Sequence, residues 1–211
     1  MENQEQANLE FAKAYELQRS YFFRGEPKKI EVRKQVLITL RDQVKKNEEK
    51  IIKALQIDLG RNPFESFLLE LFMFYQELDE SIAKVKKWSD SKSISCDLVN
   101  LKSSNFLKYE PFGQVLIIAP WNYPFQLLFV PLIGALSAGN VVIMKPSREV
   151  PTCYQVFREI INKSLPAEHV YLVSSLIDNK TLMQKNYDFI CFTGMNHSSL
   201  LHNYFFPKHM Q

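Results

Sequence analysis

The chain has 211 residues, of which 46% are hydrophobic and 23% are charged, so it is long enough to bury one sizeable core and is predicted to be globular. Its net charge of +3 is small and its basic residues are scattered through predicted helices, which disfavours a nucleic-acid partner. The N-terminus lacks the apolar segment of a secretory signal, and the apolar run from Phe125 to Ala138 is shorter than the about 20 residues of a membrane span. We therefore expect a cytoplasmic protein with no membrane span.

The cysteines and histidines do not predict a metal site. Cys96, Cys153 and Cys191 are far apart, are odd in number and lack the spacing of metal ligands, so we interpret them as buried or idle thiols in a reducing compartment. Three histidines of the tail are irregularly placed and are not interpreted as metal ligands. They are His197, His202 and His209.

Residues 1–93 are predicted to form packing helices. Apolar residues recur at helical spacing from Val32 to Val44, and a second helix is predicted with Asn47 as its N-cap and Gly60 as its stop. A longer helix is expected to bury one broad face, formed by Phe64, Phe67, Leu68, Leu71, Tyr75, Leu78, Ile82 and Val85. We interpret this aromatic stripe as core rather than as a cofactor site, because no polar residue is expected to converge on it.

Strands and helices alternate in the second half of the chain. Residues 94–108 are interpreted as a short strand pair or an extended crossover. Within residues 109–194, apolar strands are predicted at 114–119, 140–145, 169–174 and 187–194, with helices at 123–139, 150–165 and 178–186 between them. Continuous apolar strands separated by helices predict an α/β fold with a parallel sheet covered on both faces.

The carboxyl ends of these strands are the predicted binding site, because parallel sheets bind ligands at that edge. The ends lie at residues 120–122, 145–148, 174–175 and 193–194. No glycine-rich phosphate motif is present, so nucleotide binding would need other groups. Asn122 is either a hydrogen-bond donor for a developing oxyanion or a helix cap. Lys145 either binds a ribose or a phosphate or merely reaches solvent.

Four motifs resemble the aldehyde dehydrogenase superfamily, nearest to its class 3, fatty-aldehyde-type branch. They are P-W-N-Y-P, P-L-x-x-A-L-x-A-G-N and K-P-S, all between residues 110 and 147, followed by YDFICFTG at 187–194. The resemblance covers residues 10–194. It implies N-terminal helices plus an incomplete, Rossmann-like dinucleotide-binding domain of the aldehyde dehydrogenase fold. It also implies NAD(P)-dependent oxidation of an aldehyde to a carboxylic acid.

The resemblance also assigns roles to residues at the strand ends. Asn122 would supply the side-chain donor of the oxyanion hole, and NAD or NADP would be the cofactor. The wall behind the nicotinamide would be formed by Ile118, Ala119, Pro120 and Trp121. Lys145 would bind the adenosine ribose with Ser147 nearby. The turn that receives the pyrophosphate would follow Phe192, Thr193 and Gly194.

Two departures from the family pattern affect the adenosine half of that site. Arg148 stands where the family often has a glutamate, and Glu149 comes one position late. A cation in place of an acceptor is expected to weaken NAD binding and to admit a 2'-phosphate. Ser174 and Ser175 replace paired glycines and are expected to narrow the room for adenine.

The largest departure follows Gly194. Residues 195–211 diverge from the family, so the general-base glutamate and the catalytic cysteine have no counterpart, and a thiol within an apolar strand, as predicted for Cys191, is expected to be inert. We expect a catalytically inactive product of a frameshift or an aberrant splice, with an aggregation-prone edge at the last strand. The alternative is a non-catalytic dinucleotide-binding or interaction module that associates with a full-length relative through its N-terminal helices and residues 94–108.

Overall fold

The computed structural model describes residues 3–95 and 103–194, so Cys96, the tail at 195–211 and its histidines lie outside the described residues. The helices are α1 (Gln4–Phe23), α2 (Ile30–Lys46), α3 (Glu48–Leu59), α4 (Pro63–Ser66), α5 (Phe72–Ser89), α6 (Gln126–Ala138), α7 (Pro151–Ser164) and α8 (Asn179–Met183). A 3-10 turn spans Glu26–Lys28 and a π turn spans Phe67–Leu71. Among the described residues, no helix is both long and apolar enough to cross a membrane.

The strands form one parallel sheet and one small antiparallel pair. They are β1 (Lys92–Ile94), β2 (Asn105–Leu107), β3 (Gln114–Ile118), β4 (Val141–Lys145), β5 (Val170–Leu172) and β6 (Phe189–Phe192). The parallel sheet has the order β5-β4-β3-β6, and β1 pairs antiparallel with β2. The predicted α/β fold with a parallel sheet is therefore confirmed, while the division of the chain after residues 93, 108 and 194 stays a prediction.

The sheet lies between two layers of helices, which explains why its central strands are apolar throughout. Every residue of β3 and β4 is buried. On one face, side chains such as Val115 and Met144 pack against α2, α3, α5, α6 and α7. On the other face, Leu116 and Ile143 pack against α1 and α8. A strand that is covered on both faces cannot alternate apolar and polar residues, so its sequence is a continuous apolar run.

Helix α6 ends where its sequence predicts. Gly139 has a φ of 92°, in the left-handed region, and forms the C-cap of the helix. A Cβ at this position would also lie 2.7 Å from Nε of Arg33, so a larger residue would require the Arg33 side chain to move in addition to straining the backbone. The chain then enters β4 directly.

Two details of the N-terminal helices differ from the prediction. Asn47 is the N-cap residue of α3, as predicted, but its side chain does not cap this helix, because the side-chain amide donates to the carbonyl of Gln43, 2.9 Å away, at the end of α2. Phe64 and Leu68 are exposed, with 73% and 44% of their surface accessible, and Phe74 is buried instead. The π turn at Phe67–Leu71 accounts for this, because its extra residue per turn shifts the helix face that meets the core.

Candidate functional site

The tips of three neighbouring strands are held together by backbone hydrogen bonds. Ile118 is in register with Lys145 on one side and with Phe192 on the other. Beyond these pairs, the amide of Ala119 donates to the carbonyl of Lys145 at 3.2 Å, and the amide of Thr193 donates to Ile118 at 3.0 Å. The strand ends therefore form a fixed edge from which the following loops diverge.

Two adjoining cavities open at this edge, and together they are lined by every residue to which the family resemblance assigned a role, whereas Ser174 and Ser175 line neither. The first, of about 400 Å³, is lined by Ile118, Ala119, Lys145, Ser147 and Arg148 among others. The second, of about 590 Å³, shares Ile118, Ala119 and Ser147 and adds Pro120, Trp121, Asn122, Phe192, Thr193 and Gly194. The structure thus brings the predicted residues to one place, although their roles stay a prediction.

Lys145 provides a buried cation in the first cavity. Only 5% of its surface is accessible, and its Nζ donates to the carbonyl of Pro146 at 3.3 Å. The pKa of Lys145 is lowered to about 8, chiefly by burial and also by repulsion from Arg148, while Asp178 opposes both effects. An anion in the cavity would stabilise the charged form of this lysine.

The loop after β4 contributes two charges of opposite sign. Arg148 is exposed and its guanidinium donates to the carbonyl of Leu176 at 3.1 Å, so its charge is held at the rim of the first cavity. Glu149 lines both cavities, and its amide donates to Oγ of Ser147 at 3.2 Å. A carboxylate is therefore available at this edge, one position later than in the family pattern.

Asn122 lines the second cavity and does not cap the following helix, which excludes the alternative of a helix cap. Helix α6 begins at Gln126 and has no side-chain cap from its own N-cap residue, Phe125. The backbone carbonyl of Asn122 accepts from the guanidinium of Arg61, which also lies 4.4 Å from the ring centre of Tyr123. Arg61 thus fixes the loop on which Asn122 is presented.

Glu70 completes this support and was missed by sequence reasoning. It is fully buried, and its Oε2 accepts from the amides of Phe125 and Gln126 at 2.7 and 3.1 Å while its Oε1 pairs with Arg61. Burial raises the pKa of Glu70, although these hydrogen bonds and Arg61 lower it in part. The expectation that no polar residue converges on the aromatic stripe is therefore wrong. A lone carboxylate within the apolar run FLLELF was the available signal.

The two serines that replace the family's paired glycines lie at the end of β5. Ser174 is buried, and its Oγ accepts from the amide of Leu176 at 3.2 Å. The amide of Ser175 donates to the hydroxyl of Tyr154 at 3.0 Å. Ser175 also lines a separate cavity of about 410 Å³ beside Arg148. Ser174 is therefore hydrogen-bonded within its own loop, whereas Ser175 is hydrogen-bonded to α7.

Neither described cysteine lies in the strand-tip cavities. Cys153 is fully buried at the start of α7, where burial and Asp58 raise its pKa. Burial also raises the pKa of Cys191, as expected for a thiol in this strand, although the residue is only partly buried and lies on an outer strand of the sheet, β6. Within residues 3–95 and 103–194, no cluster of His, Cys, Asp and Glu could hold a metal ion.

The fold and these motifs have counterparts among known proteins. The family model described as "Aldehyde dehydrogenase family" matches residues 2–199 of this chain. The chain therefore belongs to the aldehyde dehydrogenase family. It spans about two fifths of the length of the curated relatives that it matches.

Individual relatives agree with the predicted class 3 branch. The 4,4'-diaponeurosporen-aldehyde dehydrogenase of Staphylococcus aureus is 36% identical over 177 residues, which are 83% of this chain and 39% of that protein. Aldehyde dehydrogenase family 3 member B2 of Mus musculus is 34% identical over 83% of this chain and 37% of its own. The substrate-bound Staphylococcus aureus AldH structure has a TM-score of 0.84 at 34% identity, covering 87% of this chain and 40% of that one.

Proposed function

We propose that the strand-tip cavities bind NAD or NADP as part of an aldehyde dehydrogenase that oxidises an aldehyde to a carboxylic acid. The observation that carries the proposal is Lys145, a buried cation with no carboxylate partner among the described ion pairs, which lines a cavity at the carboxyl edge of a parallel sheet. A phosphate-bearing ligand is the natural counter-ion for such a group. The bound dinucleotide would supply the hydride acceptor.

The roles of the remaining residues follow from their positions. Lys145 and Ser147 would hold the adenosine ribose, and the Ile118–Trp121 segment would form the wall behind the nicotinamide. Asn122 would donate its side-chain amide to the oxygen of the aldehyde as negative charge develops there. Phe192, Thr193 and Gly194 would border the pyrophosphate.

We also propose that the 211-residue polypeptide does not oxidise aldehydes by itself. This reaction requires a thiolate nucleophile near the oxyanion donor. Cys153 and Cys191 have raised pKa values and line neither cavity, so neither is suited to that role. A cytoplasmic location and association with a full-length relative are part of the same proposal, since such a relative would contain the missing nucleophile.

Titration calorimetry of the 211-residue protein with NAD⁺, NADP⁺ and ADP-ribose tests the binding proposal. We expect saturable binding that weakens by about tenfold or more in Lys145→Met, because a charge-assisted contact is removed. Lys180→Met removes an exposed lysine that also lines the first cavity, and it serves as the matched control. Equal loss in both variants, or no binding of any of the three ligands, would reject the assignment.

Arg148 is expected to determine which of the two dinucleotides binds more tightly. Because a guanidinium at the rim favours a 2'-phosphate, Arg148→Glu is expected to weaken NADP⁺ binding more than NAD⁺ binding. Absence of aldehyde oxidation is tested separately, by the absorbance of the reduced nicotinamide with a medium-chain aldehyde, against a mock preparation and an active family member. Turnover above that of the mock preparation would refute the proposed inactivity but would leave the proposed dinucleotide binding untouched.

The second candidate is a non-catalytic interaction module. It is favoured by the β1–β2 pair, every residue of which is exposed, including Ile94, Phe106 and Leu107. This alternative does not require dinucleotide binding, and the chain would co-sediment with a full-length relative whether or not a dinucleotide is present. Substitution of Phe106 by Ser would then disrupt that association.

A further inference from the structure

A fourth cavity lies at the opposite end of α6 from the strand-tip site. It has a volume of about 410 Å³ and is lined by side chains from α2, α5 and α6 and from the segment after β2. Ser137 lines it near the end of α6, whereas Leu127, near the start of the helix, lines the strand-tip site. At 1.5 Å per residue these two positions are about 15 Å apart along the helix axis. The two sites are therefore distinct.

Two serine hydroxyls in the wall of this cavity lack hydrogen-bond partners. Ser81 on α5 is 1% exposed and Ser137 on α6 is 8% exposed. Neither Oγ has a partner, although each is fully shielded from solvent. An unpaired buried hydroxyl costs about 1–3 kcal/mol, and buried polar side chains are nearly always satisfied. Their convergence on one cavity points to a ligand that accepts hydrogen bonds.

A buried guanidinium lines the same cavity as these hydroxyls. Arg33 on α2 is 7% exposed, and it donates to three neutral oxygens: the Pro27 carbonyl at 3.3 Å, Ser89 Oγ at 2.8 Å and the Ser137 carbonyl at 3.4 Å. Burial lowers the pKa of Arg33, and the one carboxylate that opposes this effect is that of Glu110.

Glu110 does not neutralise this guanidinium by direct contact. Its carboxylate pairs with Lys108 at 2.7 Å and with Lys28 at 3.7 Å, and no described ion pair includes Arg33. Buried charges are normally paired with an opposite charge. The guanidinium of Arg33 therefore lacks a counter-ion in a cavity that also contains two unused hydroxyl groups.

The rim of the cavity is aromatic and bears charges of both signs. Trp88 is 43% exposed, and Tyr109 is 60% exposed with Nζ of Lys92 at 5.6 Å from its ring centre. Gly134 and Ala138 of α6 form an apolar wall. The charged residues that line the cavity besides Arg33 are Lys87, Lys92, Glu77 and Glu110. The polar groups are thus buried, while the rings are accessible at the mouth.

We propose that this cavity binds a small aromatic carboxylate. Its carboxylate would accept from Arg33, and from Ser81 and Ser137 once rotation about χ1 turns their shielded hydroxyls into the cavity. Its ring would pack against Trp88 and Tyr109. Arginine binds carboxylates through two parallel hydrogen bonds, and exposed aromatic rings supply contact area for a flat ligand. The volume lies within the range of about 300–1,000 Å³ for small-molecule sites, which favours a free ligand over a protein segment.

The binding assay uses Trp88 as the reporter. The chain has two tryptophans, so Trp121→Phe leaves Trp88 as the single emitter. Phenylacetate is the probe, and phenylacetamide is its uncharged control of the same shape. We expect saturable quenching by phenylacetate and at least about tenfold weaker binding of the amide, because the charged hydrogen bonds to Arg33 are lost. Equal binding of the two compounds, or no saturable quenching, would overturn the proposal.

Substitutions of the cavity residues distinguish a loss of ligand binding from a loss of folding. Ser81→Ala and Ser137→Ala are each expected to weaken phenylacetate binding severalfold without lowering thermal stability, because each removes a hydroxyl that has no partner in the free protein. Arg33→Lys is expected to weaken binding by about tenfold or more while retaining the positive charge, because the guanidinium fork is lost. Ser164→Ala, on α7 and outside the cavity, is the matched control.

Two further outcomes would count against the site. Unchanged affinity in both serine variants and in Arg33→Lys would show that the probe binds elsewhere. If a protein segment fills the cavity instead, Trp88 would already be shielded from acrylamide in the free protein and phenylacetate would not compete. Either result would remove the small-molecule assignment.

Discussion

A single carboxylate determines how the oxyanion loop is held. Glu70 accepts two amides at the start of α6 and pairs with Arg61, which in turn donates to the carbonyl of Asn122. The hydrogen bonds to these backbone groups connect residues that are 55 to 61 positions apart, so no local sequence pattern encodes them. The sequence did predict that Asn122, Lys145 and their neighbours lie together at the strand ends, because those residues belong to contiguous motifs there.

Replacement of Glu70 by Gln is expected to lower the free energy of unfolding by about 3 kcal/mol, because it leaves the guanidinium of Arg61 without its partner in a largely buried position. Hydrogen exchange at the amides of Phe125 and Gln126 should accelerate as well. Denaturant unfolding and exchange mass spectrometry measure the two effects. Glu65→Gln, exposed in the preceding turn, should change stability by less than about 0.5 kcal/mol. Equal effects of the two substitutions would contradict this account.

The lowered pKa of Lys145 predicts how dinucleotide binding depends on pH. Its pKa is lowered to about 8 by burial, so the ammonium loses its proton as the pH rises through that value. Affinity for an anionic ligand should therefore fall as pH rises through about 8. Calorimetry between neutral and alkaline pH measures the decline, which should be absent in Lys145→Met. A wild-type affinity that stays constant across this range would rule out a charge contact from this lysine.

At the scale of elements, the strands were predictable and the helix faces were less so. Apolar runs separated by helices identify parallel strands because both faces of the sheet are covered. The phase of the helix face after Ser66 was not predictable, since the π turn inserts a residue into an otherwise regular pattern. Helix ends that are capped from elsewhere in the chain were also missed, and Asp58 is the clearest example.

Asp58, at the end of α3, caps the start of α7. Its carboxylate accepts from the amides of Thr152 and Cys153 at 3.2 and 2.7 Å. Asp58→Ala should therefore lower the free energy of unfolding by about 1–2 kcal/mol, as expected for loss of a helix cap. Thermal unfolding measures the change. Asp42→Ala, at an exposed position on α2, provides the comparison, and a similar loss there would argue against capping.

At the scale of the whole molecule, α1 packs across one face of the sheet and holds the N-terminus there. Gln18 is fully buried and its side-chain amide donates to the carbonyl of Val142 in β4 at 2.8 Å. The hydroxyl of Tyr15 donates to the carbonyl of Asn186 before β6. The sheet is thus covered on both faces, but β6 remains its outer strand in the described residues, with Phe189 45% exposed. Whether this edge causes aggregation stays a prediction.

His169 makes global stability sensitive to acid. It is 2% exposed, its ring packs against Tyr21, and burial lowers its pKa to about 4. The unfolded chain therefore binds a proton at higher pH than the folded chain, so stability should fall as the pH decreases from about 6.5 to about 4. The expected loss is on the order of 3 kcal/mol.

Urea denaturation at several pH values measures this loss, and His169→Phe should reduce the slope between those two pH values. The remaining histidines of the sequence are unchanged in this variant and act as the internal reference. An identical pH dependence in the two proteins would assign the acid sensitivity to other groups.

Helix α6 borders the strand-tip cavity that contains Asn122 with its first turn and the aromatic-rimmed cavity with its last. A ligand that orders one end of such a rigid element reduces the conformational entropy that remains to be lost at the other end. Occupancy of the two cavities would then be cooperative, and thermodynamic linkage requires that each ligand change the affinity of the other by the same factor.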